Sequence, residues 1–311
     1  MKGLRLFIFL VCLSLVGSVY ADEPDRFFNR YNFHFITERV GLPHCFVTDI
    51  IQDSDGYIWT ATHNGIGRYD GYQFLNYNTQ TSPIRLKNDF VQKLCEDRFK
   101  RLWVATEGGL DLIDLNTYSS VPLPFPTDTL MNALQSSFIH TIYKDKKENL
   151  WIACDNDLWY LRLDSDGKVC EYQVLKSQAT SPIHAVVDMG TYVCAGIDNK
   201  VCVIQKAGGY SLKAVPLSDS LVPFSEDWRI ACMLKDGDYL WIGSNRGLFK
   251  YNHTTKSLKR YRYSTHRPGM LSQAYITDIK LTERGYLIVS TLNGVNVYHR
   301  DTDTFSFIRQ G

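Results

Sequence analysis

The 311-residue sequence predicts an all-β protein, a β-propeller built from four-stranded blades. Three observations carry this prediction. A segment centred on a large apolar residue, usually tryptophan, recurs every 42–48 residues, short alternating apolar runs flank it, and a glycine follows four of the six anchors by six residues. Repeats of about 40–50 residues made of short strands are typical of propeller blades.

Six anchor positions mark the repeats, and four of them are tryptophans. In chain order the anchors are Trp59, Trp103, Trp151, Val193, Trp241 and Ile288. A tryptophan that recurs at the repeat spacing serves the core before it serves a ligand. We therefore interpret these tryptophans as packing wedges between neighbouring blades.

The first unit shows how four strands arise. The alternating run 46–51 predicts an inner strand, and the Asp- and Gly-rich turn 53–56 reverses the chain. A second strand carries Trp59 and then small residues, and Gly65 follows where we expect a positive φ. A third strand at 66–69 and an outer strand at 72–77 complete the blade.

The N-terminal part differs from the repeats. A basic start, an apolar run from Leu6 to Val19 and the small residue Ala21 predict a secretory signal peptide, residues 1–21, cleaved after Ala21. A short lead, 22–30, precedes the propeller at 31–311. The apolar run of about 14 residues is shorter than the roughly 20 that a membrane-spanning helix needs. We therefore expect a periplasmic protein with no membrane span in this chain.

A lone strand, Tyr31–Ile36, precedes the first full unit and is similar to the outer strand of a blade. Propellers often close by pairing such a strand with inner strands from the C-terminal end. We therefore expect six full repeats within an incomplete seven-bladed ring, and a closed six-bladed ring is the alternative. An incomplete ring exposes a sheet edge, which predicts self-association or further propeller repeats as partners.

Composition excludes several classes of partner. The net charge is +1 and no basic run occurs, so we expect no nucleic-acid partner. The sequence contains no zinc-type cysteine spacing and no nucleotide-binding glycine motif, so we expect no metal and no cofactor. His140 and His184 occupy equivalent positions in successive units, which we attribute to repeat ancestry rather than to a metal site.

The first unit also resembles a known family, the regulator-propeller repeat. The resemblance lies in G-L-P-H at 41–44, D-S-D-G-Y-I-W at 53–59, T-H-N-G-I at 62–66 and R-Y-D-G-Y-Q-F at 68–74. That repeat builds the periplasmic sensor regions of hybrid two-component systems in glycan-degrading bacteria. The resemblance covers 31–311 and implies the N-terminal part of a sensor that detects an oligosaccharide. In the family a histidine kinase follows, and no kinase motif is recognisable in this chain.

Two other functions stay open. The first is a protein–protein interaction or dimerisation propeller without its own ligand, and the second is a secreted glycan-active enzyme. The enzyme is disfavoured because the sialidase-type box S-x-D-x-G-x-x-W fails: Gly56 is correctly spaced from Trp59, but Asp55 and Ser54 are not. No G-x-S-x-G nucleophile motif occurs either. We therefore expect no catalytic residues.

Candidate ligand contacts lie in loops whose residues vary while the scaffold repeats. The turns between second and third strands contribute His63, Asn64, Asn245 and Arg246. An aromatic residue also precedes five of the anchors by thirteen positions: Phe46, Phe90, Phe138, Trp228 and Tyr275. These aromatics would form a stacking collar for sugar rings or, alternatively, plug the central channel. Trp228 is the collar residue that we assign to the ligand site.

Overall fold

The computed structural model describes residues 36–155, 157–176, 181–205, 211–213, 228–264 and 267–308. These residues form six four-stranded antiparallel sheets, and in each sheet the strands lie side by side in chain order. The sheets are the blades of a ring, which confirms the predicted all-β propeller with six full repeats. One α-helix in the described part, α1 (Asp128–Gln135), connects the second and third blades, and a 3-10 turn (Glu38–Val40) precedes the first.

The strands have the following bounds. Blades 1 to 3 contain β1 (Val47–Gln52), β2 (Ile58–Thr62), β3 (Gly65–Tyr69), β4 (Phe74–Tyr77), β5 (Val91–Glu96), β6 (Arg101–Thr106), β7 (Gly109–Asp114), β8 (Ser119–Ser120), β9 (Ile139–Lys144), β10 (Leu150–Cys154), β11 (Asp157–Leu163) and β12 (Val169–Leu175). Blades 4 to 6 contain β13 (Ile183–Asp188), β14 (Tyr192–Ile197), β15 (Lys200–Gln205), β16 (Ser211–Lys213), β17 (Ile230–Asp236), β18 (Tyr239–Ser244), β19 (Gly247–Asn252), β20 (Leu258–Tyr261), β21 (Ile276–Leu281), β22 (Leu287–Thr291), β23 (Gly294–His299) and β24 (Thr304–Ile308). The first strand of each blade is its inner strand.

Several predictions concern residues outside the described ranges. The signal peptide 1–21 and the lead 22–30 lie there, and only Ile36 of the lone strand Tyr31–Ile36 is described. The seventh blade therefore stays a prediction. No helix among the described residues combines the length and apolarity needed to cross a membrane.

Apolar clusters fill the spaces between successive blades, and the anchor tryptophans lie at their centres. Trp59, Trp103, Trp151 and Trp241 are fully buried, and each packs against the following blade. The predicted wedge role is therefore confirmed. Successive side chains of a strand point to opposite faces of the sheet, and each face packs against a different neighbouring blade. Successive residues of the second strand therefore lie in different clusters.

A turn aspartate satisfies each buried indole. Asp97 accepts the Trp103 indole N–H through Oδ2 at 2.8 Å, while its Oδ1 accepts the backbone N–H groups of Phe99 and Arg101. Equivalent Asp–Trp bonds occur in three further blades, at Asp53, Asp145 and Asp236. A buried donor without a partner would cost about 1–3 kcal/mol. One carboxylate thus shapes the turn and pairs the core tryptophan.

The anchor of the fourth blade is Cys194, and the prediction of Val193 was wrong by one residue. Cys194 precedes the Gly196–Ala185 pair by two residues, as Trp151 precedes the corresponding pair at Ala153. Val193 faces the third blade and packs in the same cluster as Trp151. A shift of one residue moves a side chain to the opposite face of a strand. The fourth unit lacks the tryptophan and glycine that would have fixed the alignment.

Each inner strand carries a β-bulge after its first residue. In blade 1 the register passes from the pair Val47–Thr62 to the pair Asp49–Ala61, so Thr48 is left out of the ladder. The same irregularity omits one residue in every blade: Thr48, Gln92, His140, His184, Ala231 and Thr277. Bulges re-aim side chains. Because the inner strands begin at one end of the ring, the six bulge residues surround one mouth of the central channel.

Candidate functional site

The face at which the inner strands begin is called here the loop face. It is formed by the connection into each inner strand and by the turn between the second and third strands. In blade 1, Thr62 Oγ1 accepts the N–H of Asn64 and donates to the carbonyl of Gly65. Blades 2, 5 and 6 repeat this arrangement with Thr106, Ser244 and Thr291. The hydroxyl holds the turn, so the two residues between it and the glycine are presented on a fixed support.

Gly65 is required by this support. Its φ is +84°, and a Cβ there would lie 2.1 Å from the carbonyl oxygen of Tyr77. The positive φ predicted for Gly65 is therefore confirmed, and a side chain is excluded for a second, steric reason.

An aromatic cluster lies on the loop face across blades 1 and 2 and consists of His44, Phe46, His63 and Phe90. The ring centroids of Phe46 and His63 are 4.3 Å apart, those of His63 and Phe90 are 5.4 Å apart, and those of His44 and His63 are 6.1 Å apart. Phe46 is 55% exposed and Phe90 is 45% exposed. Exposed aromatic rings held in mutual contact are the kind of surface on which ligands with flat apolar faces bind.

The aromatic residues of the predicted collar differ in exposure. Tyr275 is 44% exposed, like Phe46 and Phe90, and none of the three lines the channel cavity. Their exposure favours the collar over the channel plug at these three positions, and both interpretations stay predictions. Phe138 is half-buried, with its ring centroid 4.1 Å from that of His140.

Trp228, assigned to the ligand site from the sequence, is half-buried. Its ring centroid lies 5.4 Å from that of Phe249, and the guanidinium of Arg260 lies 4.5 Å above it. It packs against the cluster between blades 4 and 5. Glu226 and Asp227, its neighbours in sequence, lie outside the described residues.

The other predicted contacts divide between two blades. His63 belongs to the aromatic cluster, and Asn64 beside it is exposed, with its side-chain amide donating to the Pro43 carbonyl at 3.2 Å. Asn245 in blade 5 accepts the backbone N–H of Arg229 through Oδ1 at 2.9 Å, so its side chain shapes the loop. Arg246 is exposed. The structure thus brings His63 and Asn64 together in blade 1, and Asn245, Arg246 and Trp228 together in blade 5.

Two histidines lie at the channel mouth, at the bulges of blades 3 and 4. The ring centroids of His140 and His184 are 5.6 Å apart in a T-shaped arrangement. Burial, with a smaller contribution from the neighbouring His184, lowers the pKa of His140 to about 4. Burial also lowers the pKa of His184. Both imidazoles are therefore neutral at physiological pH and offer uncharged hydrogen-bonding groups.

The central channel behind this mouth contains a cavity of about 240 Å³ and a network of opposite charges. Lys93 Nζ lies 3.1 Å and Lys280 Nζ 3.4 Å from Asp49 Oδ1, and Lys280 also lies 3.4 Å from Asp278. Burial raises the pKa of Asp49, but the two lysines outweigh it and the net effect lowers the pKa. The network joins blades 6, 1 and 2 and balances its own charges, which suits a structural role.

One group of side chains places three possible metal ligands close together. Ligand atoms of Glu38, His44 and Cys45 lie within 4.8 Å of one another. Two of these side chains already serve the loop, because Glu38 Oε1 accepts the N–H of Cys45 and His44 Nδ1 accepts the N–H of Phe46. With Nδ1 accepting, the neutral imidazole carries its proton on Nε2 and has no free lone pair for an ion.

Sequence reasoning missed several residues of the loop face. His44 was seen only as part of the G-L-P-H segment, and Arg229, Arg260 and Arg262 were not singled out. His44 stands two residues before a collar position. Arg260 and Arg262 stand two residues apart at the end of an outer strand, where alternate residues share a side. The spacing of Arg260 and Arg262 could therefore have been noticed in the sequence.

A family model described as "Two component regulator propeller" matches residues 41–64, 85–108 and 133–156. The three matched segments are similar to two-component regulator propeller repeats. Each matched regulator-propeller segment runs from the connection before an inner strand to the turn after the second strand. In blades 1 to 3 these segments therefore contain the bulge, the anchor tryptophan and both loop-face elements.

Solved structures with the same fold include extracellular signalling domains. The extracellular domain of a protein described as a hybrid two-component system of B. thetaiotaomicron matches with a TM-score of 0.69 and 22% identity, covering 89% of this chain and 36% of that one. A second such domain from the same organism gives a TM-score of 0.56 and 17% identity, covering 90% and 40%. PorZ, a surface component of the type-IX secretion system of Porphyromonas gingivalis, gives 0.58 and 13%, covering 85% and 38%.

These TM-scores establish a shared fold. The chain spans 36–40% of the length of these three structures. No curated protein matches the chain.

Proposed function

We propose that this chain is the ligand-sensing propeller of an exported two-component receptor, and that it detects an oligosaccharide and passes the signal to a histidine kinase. The exposed aromatic cluster on the loop face is the observation that carries the ligand class. Aromatic rings offer large rigid apolar faces, and a sugar ring presents a flat C–H-bearing face to them. Neutral imidazoles at the channel mouth would bind hydroxyl groups beside this cluster.

The regulator-propeller repeats and the extracellular domains that share the fold support a sensor rather than an enzyme. The channel carboxylates Asp49 and Asp278 both lie in ion pairs with lysines, which does not suit a carboxyl group that must donate a proton. We therefore propose binding without turnover.

Export is part of the proposal. If the signal peptide is cleaved after Ala21, mass spectrometry of the periplasmic protein should identify Asp22 as the first residue. An intact Met1 on periplasmic protein would contradict export by this peptide.

Calorimetric titration of the exported protein with a panel of oligosaccharides tests the ligand class. Sugars exchange water hydrogen bonds for protein ones at little net gain, so we expect micromolar affinity, about −8 kcal/mol. His63→Ala and Phe90→Ala should weaken binding at an unchanged melting temperature. Tyr72→Ala removes an aromatic ring that is 95% exposed in the turn on the opposite face, and it should change nothing.

Three results separate the alternatives. Chromatographic detection of cleaved sugar would indicate the glycan-active enzyme. Concentration-dependent dimers with no sugar bound would favour the protein–protein interaction propeller. Equal losses from Tyr72→Ala and His63→Ala would place the binding surface elsewhere, and Asn64→Ala, Arg246→Ala and Trp228→Ala then test the remaining predicted contacts.

A further inference from the structure

Four arginines gather on the loop face of blade 5. Arg229 lies in the connection into β17, Arg246 in the turn between β18 and β19, Arg260 near the end of β20, and Arg262 just after that strand. All four are exposed. The chain as a whole has a net charge of only +1, so this is a local concentration of positive charge.

Contacts between backbone and side chain hold the arginines together. Arg260 Nη2 donates to the carbonyl of Arg246 at 2.9 Å, and its guanidinium stacks over Trp228. Asn245 accepts the N–H of Arg229 through Oδ1 and donates its own N–H to the Arg229 carbonyl at 3.1 Å. These bonds involve only the backbone atoms of Arg229 and Arg246. Their guanidinium groups take no part in them.

The four arginines form no ion pair with a carboxylate in the described part of the chain, although the turn that holds Asp198 adjoins Arg229, where the Asp198 carbonyl accepts the N–H of Ile230. Other arginines there form ion pairs, such as Arg101 with Asp97 and Arg300 with Asp236. No ion pair among the described residues joins a carboxylate to the four arginines of blade 5. Burial lowers the pKa of Arg260, and the positive charge of Arg262 lowers it further. Crowded like charges that are not held in ion pairs favour a bound anion.

Guanidinium groups bind carboxylates and sulfates through paired N–H donors, with a geometric match that lysine does not provide. We propose that the arginine cluster of blade 5, formed by these four arginines beside Trp228, binds the anionic group of an acidic oligosaccharide, a uronate or a sugar sulfate. This inference rests on the proposed function and names the class of its ligand. The aromatic cluster of blades 1 and 2 would contact the sugar rings, and blade 5 would select for charge.

Calorimetric titration of the exported protein with three oligosaccharide series of equal length tests this: neutral, uronate-containing and sulfated. At least one acidic series should bind about tenfold or more tightly than the neutral one. Raising the NaCl concentration from about 0.02 M to about 0.5 M should reduce that preference, because salt screens exposed charges. Whichever acidic series binds more tightly identifies the anionic group.

Substitutions locate the site. Arg229→Gln should weaken binding of the acidic series about tenfold, with neutral binding and melting temperature unchanged. Arg246→Gln should weaken acidic binding by a similar factor at an unchanged melting temperature. Arg284→Gln is the matched control, because Arg284 lies in the turn between β21 and β22 on the opposite face, and it should have no effect. Glu226→Gln combined with Asp227→Asn should not weaken acidic binding, since it removes two negative charges that immediately precede Trp228 in the sequence.

The outcomes distinguish the two proposals. Equal affinity for neutral and acidic series, or acidic binding that survives Arg229→Gln and Arg246→Gln, overturns the anion site and leaves oligosaccharide sensing intact. Absence of binding to all three series overturns both.

Discussion

Replacing Asp111 with asparagine should stabilise the propeller at neutral pH. Asp111 is buried in β7, and its Oδ2 accepts the N–H of Lys87 at 2.8 Å. Burial raises its pKa to about 6, although that hydrogen bond and the charge of Lys87 favour the ionised form. Blade 6 holds Asn296 at the equivalent place, and Asn296 Oδ1 accepts the N–H of Ser272 at 2.8 Å. An asparagine therefore fits this position and makes the same bond without a charge.

The magnitude follows from the pKa. An aspartate of pKa about 6 in the folded protein and 3.8 in the unfolded chain loses about 3 kcal/mol of folding free energy once ionised in both. Lost attraction to Lys87 and water near the site reduce the expected gain to about 1–2 kcal/mol. Because the folded pKa is raised, the penalty is absent below about pH 4, grows between about pH 4 and 6, and is complete above it.

Urea unfolding of the wild type and Asp111→Asn between about pH 4 and 8 measures this. The gain should appear above about pH 6 and vanish near pH 4. The reciprocal change, Asn296→Asp, should destabilise at neutral pH, because its Nδ2 donates to the Val289 carbonyl, where a carboxylate oxygen would be repelled. A gain that is independent of pH, or a loss of stability at pH 7, would refute the reasoning.

Three further changes test the scaffold and the channel mouth. Trp103→Ala should lower the free energy of unfolding by about 3–5 kcal/mol, because the side chain is fully buried between blades; a melting temperature within a degree or two of the wild type would contradict the wedge role. Gly65→Ala and Gly71→Ala both place alanine at positive φ, but a Cβ at 65 meets the Tyr77 carbonyl and a Cβ at 71 meets nothing within 4 Å. The first should therefore cost at least about 2 kcal/mol more in urea unfolding than the second, and equal losses would count against the steric argument. The lowered pKa of His140 means that the wild type loses stability as pH falls from about 6.5 to about 4, where the unfolded chain binds the proton first. Melting curves of His140→Gln should lose less over that range, and parallel pH profiles would exclude His140 as the titrating group.

The repeat was sufficient to predict the fold because the residues that define each repeat lie close together in the sequence. Trp59 and Gly65 stand at a fixed spacing that spans one strand and the turn into the next, so the strands of each unit can be assigned from that unit alone. Where those marks are missing, as around Cys194, the alignment slipped by one residue. The bulges were not predicted, because an unpaired residue such as Thr48 leaves no visible break in the alternation of apolar and polar residues.

The candidate site was only partly predictable, because it depends on contacts between blades and loops. His63 was chosen as a variable polar residue, yet its contact with Phe90 arises from the next blade. Asn245 was chosen for the same reason and instead shapes its own loop. Spacing tells which residues reach the loop face, whereas their partners depend on the ring geometry.

The bulges at the start of the inner strands allow the chemistry of the channel mouth to vary independently of the strand pairing that holds the blades together. A residue such as Gln92 has no cross-strand partner in β6, so exchanging it leaves the strand register and the wedge packing in place. Six such positions encircle one opening, one from each repeat. The ring can therefore acquire a new chemical preference at its mouth by single substitutions that cost little stability, which makes one scaffold reusable for many signals.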